Sequence, residues 1–378
     1  MVSITYECSQ GYDLFIAGDV CPIDGSITFA PQIDFKLLDI MSRARVRIVN
    51  LECPITTQTA PIAKTGPALK AASYVESLLS DLNVDICNLA NNHIMDYGSQ
   101  GAEDTVFSLE QAGISNLGIM KNNSLKPYIL DINGKRIAFV SFTENEFSTL
   151  SDRNWMANPM DHYVQWQQIN EARKAADYVV VQYHGGAEMY SYPTPGQKDY
   201  AHYLADIGAS IVICHHSHCI SGYEIYNGVP IFYGLGNFYF PGMGSTEHWF
   251  KGLGLCINFG QEIKIDLTPI RYDNNTHVLV TSQELKHQIQ NEVEKLNEAI
   301  SSDEQLQRLW CDFCQKTAGG TLNAFFSPTL VSRALIKLGL KKTLSHRANW
   351  KLINILRCET HREKLLTTLR YLVDPRDD

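Results

Sequence analysis

The chain has 378 residues, 44% of them apolar and 19% charged. That is enough to bury a large core without disulfide or metal staples, and it excludes a disordered or collagen-like chain. A net charge of −9 repels phosphate backbones and the aromatics are not interleaved with basic residues, so no nucleic-acid partner is expected.

Taken in chain order, the opening MVSITYECSQGYDLF has neither the basic start nor the apolar middle of a signal peptide. No apolar run approaches the roughly 18 residues that span a bilayer. The expectation is a soluble, cytoplasmic protein with no transmembrane segment, its ten cysteines scattered and reduced. Continuous apolar runs at Asp13 to Ala17, Arg47 to Asn50, Val84 to Leu89, Tyr178 to Tyr183 and Ile211 to Cys214 predict strands buried on both faces. Helical patterns separate them at Ala68 to Leu82, Ala102 to Ala112, Asp161 to Ala176 and Gln197 to Ile207. Ile129 to Phe142 reads as a hairpin turning at Asn133-Gly134, and Tyr223 to Tyr233 as another turning at Asn227-Gly228. Leu253 to Asn258 and Ile263 to Ile270 add strands, so the predicted sheets are mixed and lie in two layers flanked by helices.

Beyond about Asn275 the texture becomes helical, at Leu285 to Ile300, Asp303 to Lys316, Thr329 to Leu340 and His346 to Val373. The chain is expected to divide into an α/β domain over 1–280 and a helical C-terminal region over 281–378. Residues 331–378 carry eleven Lys or Arg against five Asp or Glu. This tail reads first as a solvated helical surface, and otherwise as a docking face for a protein partner. Cys311-x-x-Cys314 has no second pair and lies in a helical pattern, which argues against a zinc or redox role.

The polar residues of interest each follow directly on a buried run: Asp19, then Asn50 and Glu52, then Asn91, Asn92, His93 and Asp96, then His184, then His215, His216 and His218. Each alone has an ordinary explanation as a turn, cap or hydrogen-bonded core residue. Together they point to one crevice, because the carboxyl ends of strands in open α/β sheets line one side. Carboxylate, amide oxygen and imidazole form a ligand set for Mn, Fe or Zn, and one carboxylate can bridge two ions about 4 Å apart, as in two-metal hydrolytic sites. His93 with Asp96 suits an acid that protonates a leaving group and the carboxylate that orients it. Lys64-Thr65-Gly66-Pro67 with Lys70 reads as a solvated loop or, alternatively, as a cradle for an anionic substrate.

Gly18-Asp19-Val20, the run Asn50 to Thr56, Asn88 to His93 with Asp96-Tyr97-Gly98, His184 to Glu188, His215-His216-Ser217-His218 and Leu235 to Phe238 occur in an order that resembles the capsule-synthesis CapA family. These poly-γ-glutamate synthesis accessory proteins have a calcineurin-like metallophosphoesterase fold. The resemblance spans roughly residues 12 to 245 and implies a four-layer α/β/β/α sandwich with the helical C-terminal appendage outside it. It implies Asp19 and His218 at a first metal, Asn92, His184 and His216 at a second, and Glu52 as the bridge. His93 would be the leaving-group acid and Asp96 its orienter. Cys21, Asn50, Glu188, His215 and Asn237 would contact substrate or support the ligands. Four positions depart from the pattern: Cys21 replaces the usual His, Gly185 a bulky aromatic, and Cys214 and Ser217 the Gly and Pro around the His cluster.

The expected function is a hydrolase using one or two divalent ions (Mn, Fe or Zn) on a phosphoester or γ-glutamyl amide in a small molecule or polymer fragment, linked to capsule or polyglutamate metabolism. The alternative is a non-catalytic scaffold subunit of a surface-polymer machine.

Overall fold

A computed structural model describes residues 1–7, 11–122, 126–150, 154–326 and 346–373. Ten strands form a first sheet. Its parallel half is β2 (Tyr12–Val20), β4 (Ala44–Leu51), β5 (Ile86–Asn88) and β6 (Ser115–Leu117). Beyond β2, antiparallel β16 (Lys251–Asn258), β17 (Ile263–Asp273) and β18 (Val278–Val280) extend it to β3 (Gln32–Ile33). Two short strands pair parallel on this sheet, β1 (Val2–Thr5) with β17 and β15 (Asn237–Tyr239) with β2. The second sheet has six strands in the order β13 (Tyr223–Tyr226), β14 (Val229–Phe232), β12 (Ile211–His215), β11 (Tyr178–His184), β9 (Lys135–Thr143) and β8 (Tyr128–Ile132). A separate pair joins β7 (Ile119–Lys121) to β10 (Trp155–Ala157).

Period-2 alternation sorts the side chains into layers. Leu14, Ile16, Ile48 and Ile86 of the first sheet meet Ile137, Phe139, Val180 and Ile213 of the second in one buried cluster. Phe15, Ala17 and Val49 face the other way, onto helices α1 (Phe35–Ser42), α2 (Val75–Asp81) and α3 (Gly98–Gln111). On the far side Val140, Val181 and Val212 pack against α4 (His162–Ala175) and α5 (Pro195–Asp206). The result is the four-layer α/β/β/α sandwich expected of a metallophosphoesterase-like chain, with helices appended at its C-terminus.

Both Asn-Gly hairpins form as the sequence predicts, with φ of 56° and 74° at Asn133 and Gly134, and 49° and 83° at Asn227 and Gly228. The helix expected over Ala68 to Leu82 is confined to Val75–Asp81. Pro67 and three outward backbone bonds explain the loss. The amide of Leu69 is taken by the Asp96 carboxylate at 2.7 Å, that of Ala71 by Pro54 O at 3.0 Å and that of Ala72 by Pro22 O at 2.6 Å.

In the C-terminal region α6 (Gln283–Ile300) lays Leu285, Ile289 and Val293 on the cluster between the sheets. Helix α7 (Asp303–Phe326) follows, then α8 (His346–Arg357) and α9 (Glu359–Val373), which break at Cys358 where a single helical pattern is predicted. The helix expected over Thr329 to Leu340 lies outside the described residues. Trp310 of α7 is fully buried against Tyr190, Ala187 and Cys314, and its Nε1 donates to Thr367 Oγ1 of α9 at 3.2 Å. Truncating Trp310 to Ala is expected to cost ~3–5 kcal/mol, read by denaturant unfolding, because this indole joins the tail to the sandwich.

Candidate metal centre

The parallel halves of the two sheets bring their carboxyl ends together, and every loop flagged in the sequence opens there. Asp19, near the end of β2, accepts from Asn50 Nδ2 at 2.7 Å and from His216 N at 3.4 Å, so one carboxylate ties the two sheets at the crevice. Asn50 is held in turn by Asn88 Nδ2 at 3.0 Å and also reaches His184 Nδ1 at 3.2 Å. With Nδ1 turned to Asn50, His184 Nε2 faces the crevice, 3.1 Å from Asn92 Oδ1 and 3.1 Å from His216 Nδ1. His218 Nδ1 is 3.0 Å from Asn237 Oδ1 and 3.3 Å from Asp19 Oδ2, which leaves Nε2 toward Glu52 Oε1 at 3.7 Å.

Glu52 sits at the centre. Both of its carboxylate oxygens are buried and neither has a hydrogen-bond partner. Two groups of ligand atoms cluster within 4.8 Å, Asp19 with Glu52 and His218, and Glu52 with His184 and His216. Glu52 is common to both. Burial, then Asp19 and Glu188, push its carboxyl well above the usual carboxylate range. Burial and the neighbouring imidazoles push His184 well below the ordinary histidine value. An uncompensated buried carboxylate ringed by imidazoles is a poor core and a fitting cage for a divalent cation. The backbone is strained at the same place, with φ of 92° at His216 and 54° at His218.

His93 and Asp96 stand beside this cage. His93 Nδ1 lies 2.6 Å from Asp96 Oδ2, and the turn carrying both is capped by Asn91 Oδ1, which accepts from His93 N and Ile94 N at 3.1 and 2.9 Å. Burial raises Asp96 toward the neutral acid, but His93 and Lys64 outweigh it and hold the carboxyl low. Lys64 corrects the reading of a solvated loop. Its side chain is 6% exposed and ion-paired to Asp96, with Nζ 3.3 Å from His93 Nδ1.

Cys21 is buried against Cys53, and burial with that contact pushes its thiol well up; it belongs to neither ligand group. His215 turns its Nε2 to Gln182 Oε1 at 3.2 Å and also stays outside both groups. Glu188 lies exposed at the rim within the field of His216 and His218. Gly18 admits no side chain, since a Cβ would meet Gly236 O at 2.0 Å. Gly18→Ala is therefore expected to push β15 off β2, cost about 1–3 kcal/mol or more, and lower metal uptake by displacing Asp19, read by melting and metal analysis of the same sample.

The sequence reading missed Glu144, Asn145 and Glu146, which follow β9, and their tail partners Asn354, Glu359 and His361. The signal for the loop was present: three polar residues directly after a buried run. It was masked because the run was read only as one arm of a hairpin, whereas β9 also pairs in parallel with β11.

The model of the bacterial capsule synthesis protein family PGA_cap matches residues 13–242, more than half of the chain. The chain belongs to this family. The order of motifs that resembles CapA is thereby borne out. The PGA biosynthesis protein CapA of Bacillus subtilis (strain 168) is 38% identical over 203 residues, 50% of this chain and 52% of that protein. The capsule biosynthesis protein CapA of Bacillus anthracis is 32% identical over 182 residues, 46% and 44%. The chain thus matches over about half the length of these curated relatives. Among solved structures, a phosphatase from Mycoplasma pneumoniae aligns over 74% of this chain and 98% of its own, at 10% identity and a TM-score of 0.39. A 5'-nucleotidase precursor from Thermus thermophilus aligns over 76% and 59%, at 12% identity and a TM-score of 0.41. Helices α7 to α9 and the segment between them lie outside the family match. Among the described residues no helix is long and apolar enough to cross a membrane.

Proposed function

We propose that the chain is a metal-dependent hydrolase acting on a phosphoester or a γ-glutamyl amide in capsule or polyglutamate metabolism. The reading assigns the chemistry to residues 1–280 and leaves 281–378 as a helical adjunct. The observation that carries it is Glu52, whose two unpaired oxygens are shared by both ligand groups. Asp19, Glu52 and His218 would hold one ion, and Glu52, His184 and His216 with Asn92 the other. Manganese, iron or zinc in such a cage polarises an electrophilic oxygen and lowers the pKa of water. Asn50 and Asn237 fix the rings of His184 and His218 from behind. His93 would give its proton from Nε2 to the leaving group, since Asp96 holds Nδ1. The nine cysteines placed in the structure form no disulfide with one another, which suits action in the reducing cytoplasm.

Metal analysis of the full chain tests this, followed by assays with bis(p-nitrophenyl) phosphate and γ-glutamyl-p-nitroanilide. One or two equivalents with turnover of either compound is the expected result. No metal after reconstitution, or metal without turnover, would favour a non-catalytic accessory role in surface-polymer synthesis. One observation leans toward that role: Cys21 stands outside both ligand groups.

A further inference from the structure

The C-terminal helices pack on the loop that opens beside the metal cage. Thr143 ends β9 in register with His184, and Glu144 N donates to His184 O at 3.0 Å, so the loop 144–149 starts at the same sheet edge as the ligands. The tail clamps this loop through six polar contacts, four of them at Glu144 and Asn145. Cys358 Sγ and Thr360 Oγ1 donate to Glu144 at 3.0 and 2.6 Å, and Asn145 donates from N and Nδ2 to Glu359 at 3.1 and 2.8 Å. Phe147 meets Trp350 of α8 edge-on, with ring centroids 5.9 Å apart. Loop and tail therefore form one rigid wall.

Glu146 projects from that wall. Its Oε2 accepts from Asn354 Nδ2 of α8 at 3.1 Å, and the same Nδ2 lies 3.2 Å from His361 Nδ1 of α9. The carboxylate fixes the orientation of the amide, because a flipped Asn354 would set oxygen against oxygen. Glu146 is half-buried, and its second oxygen carries no hydrogen bond among the described residues. Burial opposes its charge, but His361, His216, Asn354 and Lys64 hold the carboxyl below its usual range, and His93 and Glu188 in turn feel its charge. Glu146 is thus tied to the tail on a loop that starts at the sheet edge of His184, within the field of His93 and His216.

We propose that Glu146, positioned by Asn354 and His361 of the C-terminal helices, recognises a protonated amine on the substrate beside the metal cage. The inference rests on the hydrolase reading and narrows it. A carboxylate with a free oxygen accepts N–H bonds and repels anions, and Glu188 on the rim has the same sign. A dianionic phosphate gains nothing from these two groups. An N-terminal γ-glutamyl group brings an α-ammonium a few bonds from its scissile carbonyl, the kind of group that a fixed carboxylate beside the cage selects. The tail then serves the chain's own site as a specificity element.

The test is calorimetric titration of the full chain, as purified and again after chelation, with γ-glutamylglutamate and with its deaminated counterpart N-glutarylglutamate. The amine-bearing ligand is expected to bind at least about tenfold tighter, the worth of one charge-assisted hydrogen bond. Glu146→Gln should bring the ratio close to one, and Asn354→Leu and His361→Gln should shrink it. Equal affinities, no saturable binding of either ligand, or a ratio unchanged in Glu146→Gln would overturn the inference. The two-ligand comparison on the unaltered chain decides the matter even if a variant fails to fold. Metal-free binding is independent of turnover, so a chain that hydrolyses nothing still tests Glu146. Turnover of bis(p-nitrophenyl) phosphate with no amine preference would remove this inference and leave the hydrolase standing.

Discussion

Glu52→Gln is expected to abolish metal uptake and, with it, any hydrolysis. The same substitution should leave the chelated protein as stable as the wild type or slightly more so. The carboxylate is fully buried and makes no hydrogen bond, so in the absence of a cation its charge costs desolvation and repulsion by Asp19 and Glu188. A neutral amide of the same shape removes that cost. With a cation present the balance reverses for the wild type alone. Free metal at about a hundred times its Kd stabilises a binding protein by about 2.7 kcal/mol, and the corresponding rise in Tm should be absent from Glu52→Gln. Thermal melts of both proteins, with and without manganese or zinc, check this. A metal-induced shift of equal size in the two would remove Glu52 from the cage. The outcome separates a ligand from a packing residue, since a packing residue would destabilise the chelated protein when changed.

The second large effect concerns His93. His93→Gln should lower kcat by about 10²–10⁴ and leave the metal content unchanged, the usual range for losing a positioned proton donor. Its Nδ1 is held by Asp96, which is saturated by the amide of Leu69 and by Lys64 as well. Three groups converge on one carboxylate to hold one ring. Asp96→Asn should therefore give a smaller loss than His93→Gln, because the ring remains and only its tether is weakened. Metal content and kcat measured on the same preparations decide it. Loss of metal in His93→Gln would make the residue a part of the cage, and unchanged kcat would leave the accessory reading as the better one.

The tail changes how such variants are read. In the scaffold alternative the C-terminal helices face a partner. In the structure several of their polar residues are spent on the loop 144–149, and Glu363 accepts from Thr194 and Gly196 at 2.6 and 3.0 Å. Trp310→Ala and changes at Glu144 are thus expected to disturb the site through the loop as well as the fold.

Local patterns in the sequence carried the sandwich and the ligand loops. Continuous apolar runs marked β2, β4, β11 and β12, because a strand buried on both faces has no polar alternation. A polar residue just past each run then lies at the crevice, whatever the rest of the fold does. Asp19, Glu52, Asn92, His184, His216 and His218 were legible by that rule and meet at one place. Three things were decided only by tertiary packing. Pairing partners are not encoded locally, so β9 read as a hairpin arm and its parallel contact with β11, which brings the loop after β9 to the same edge as His184, was invisible. A backbone can be drawn out of a helix by distant acceptors, as Asp96, Pro54 and Pro22 do to residues 69–72. Burial of a charge depends on what covers it. Lys64 looked like a solvated lysine until Asp96, 32 residues away, was seen to hold it. Asn354 and His361, some two hundred residues from Glu146, reach it only because Trp310 and the Glu144 clamp fold the tail back over the sheet.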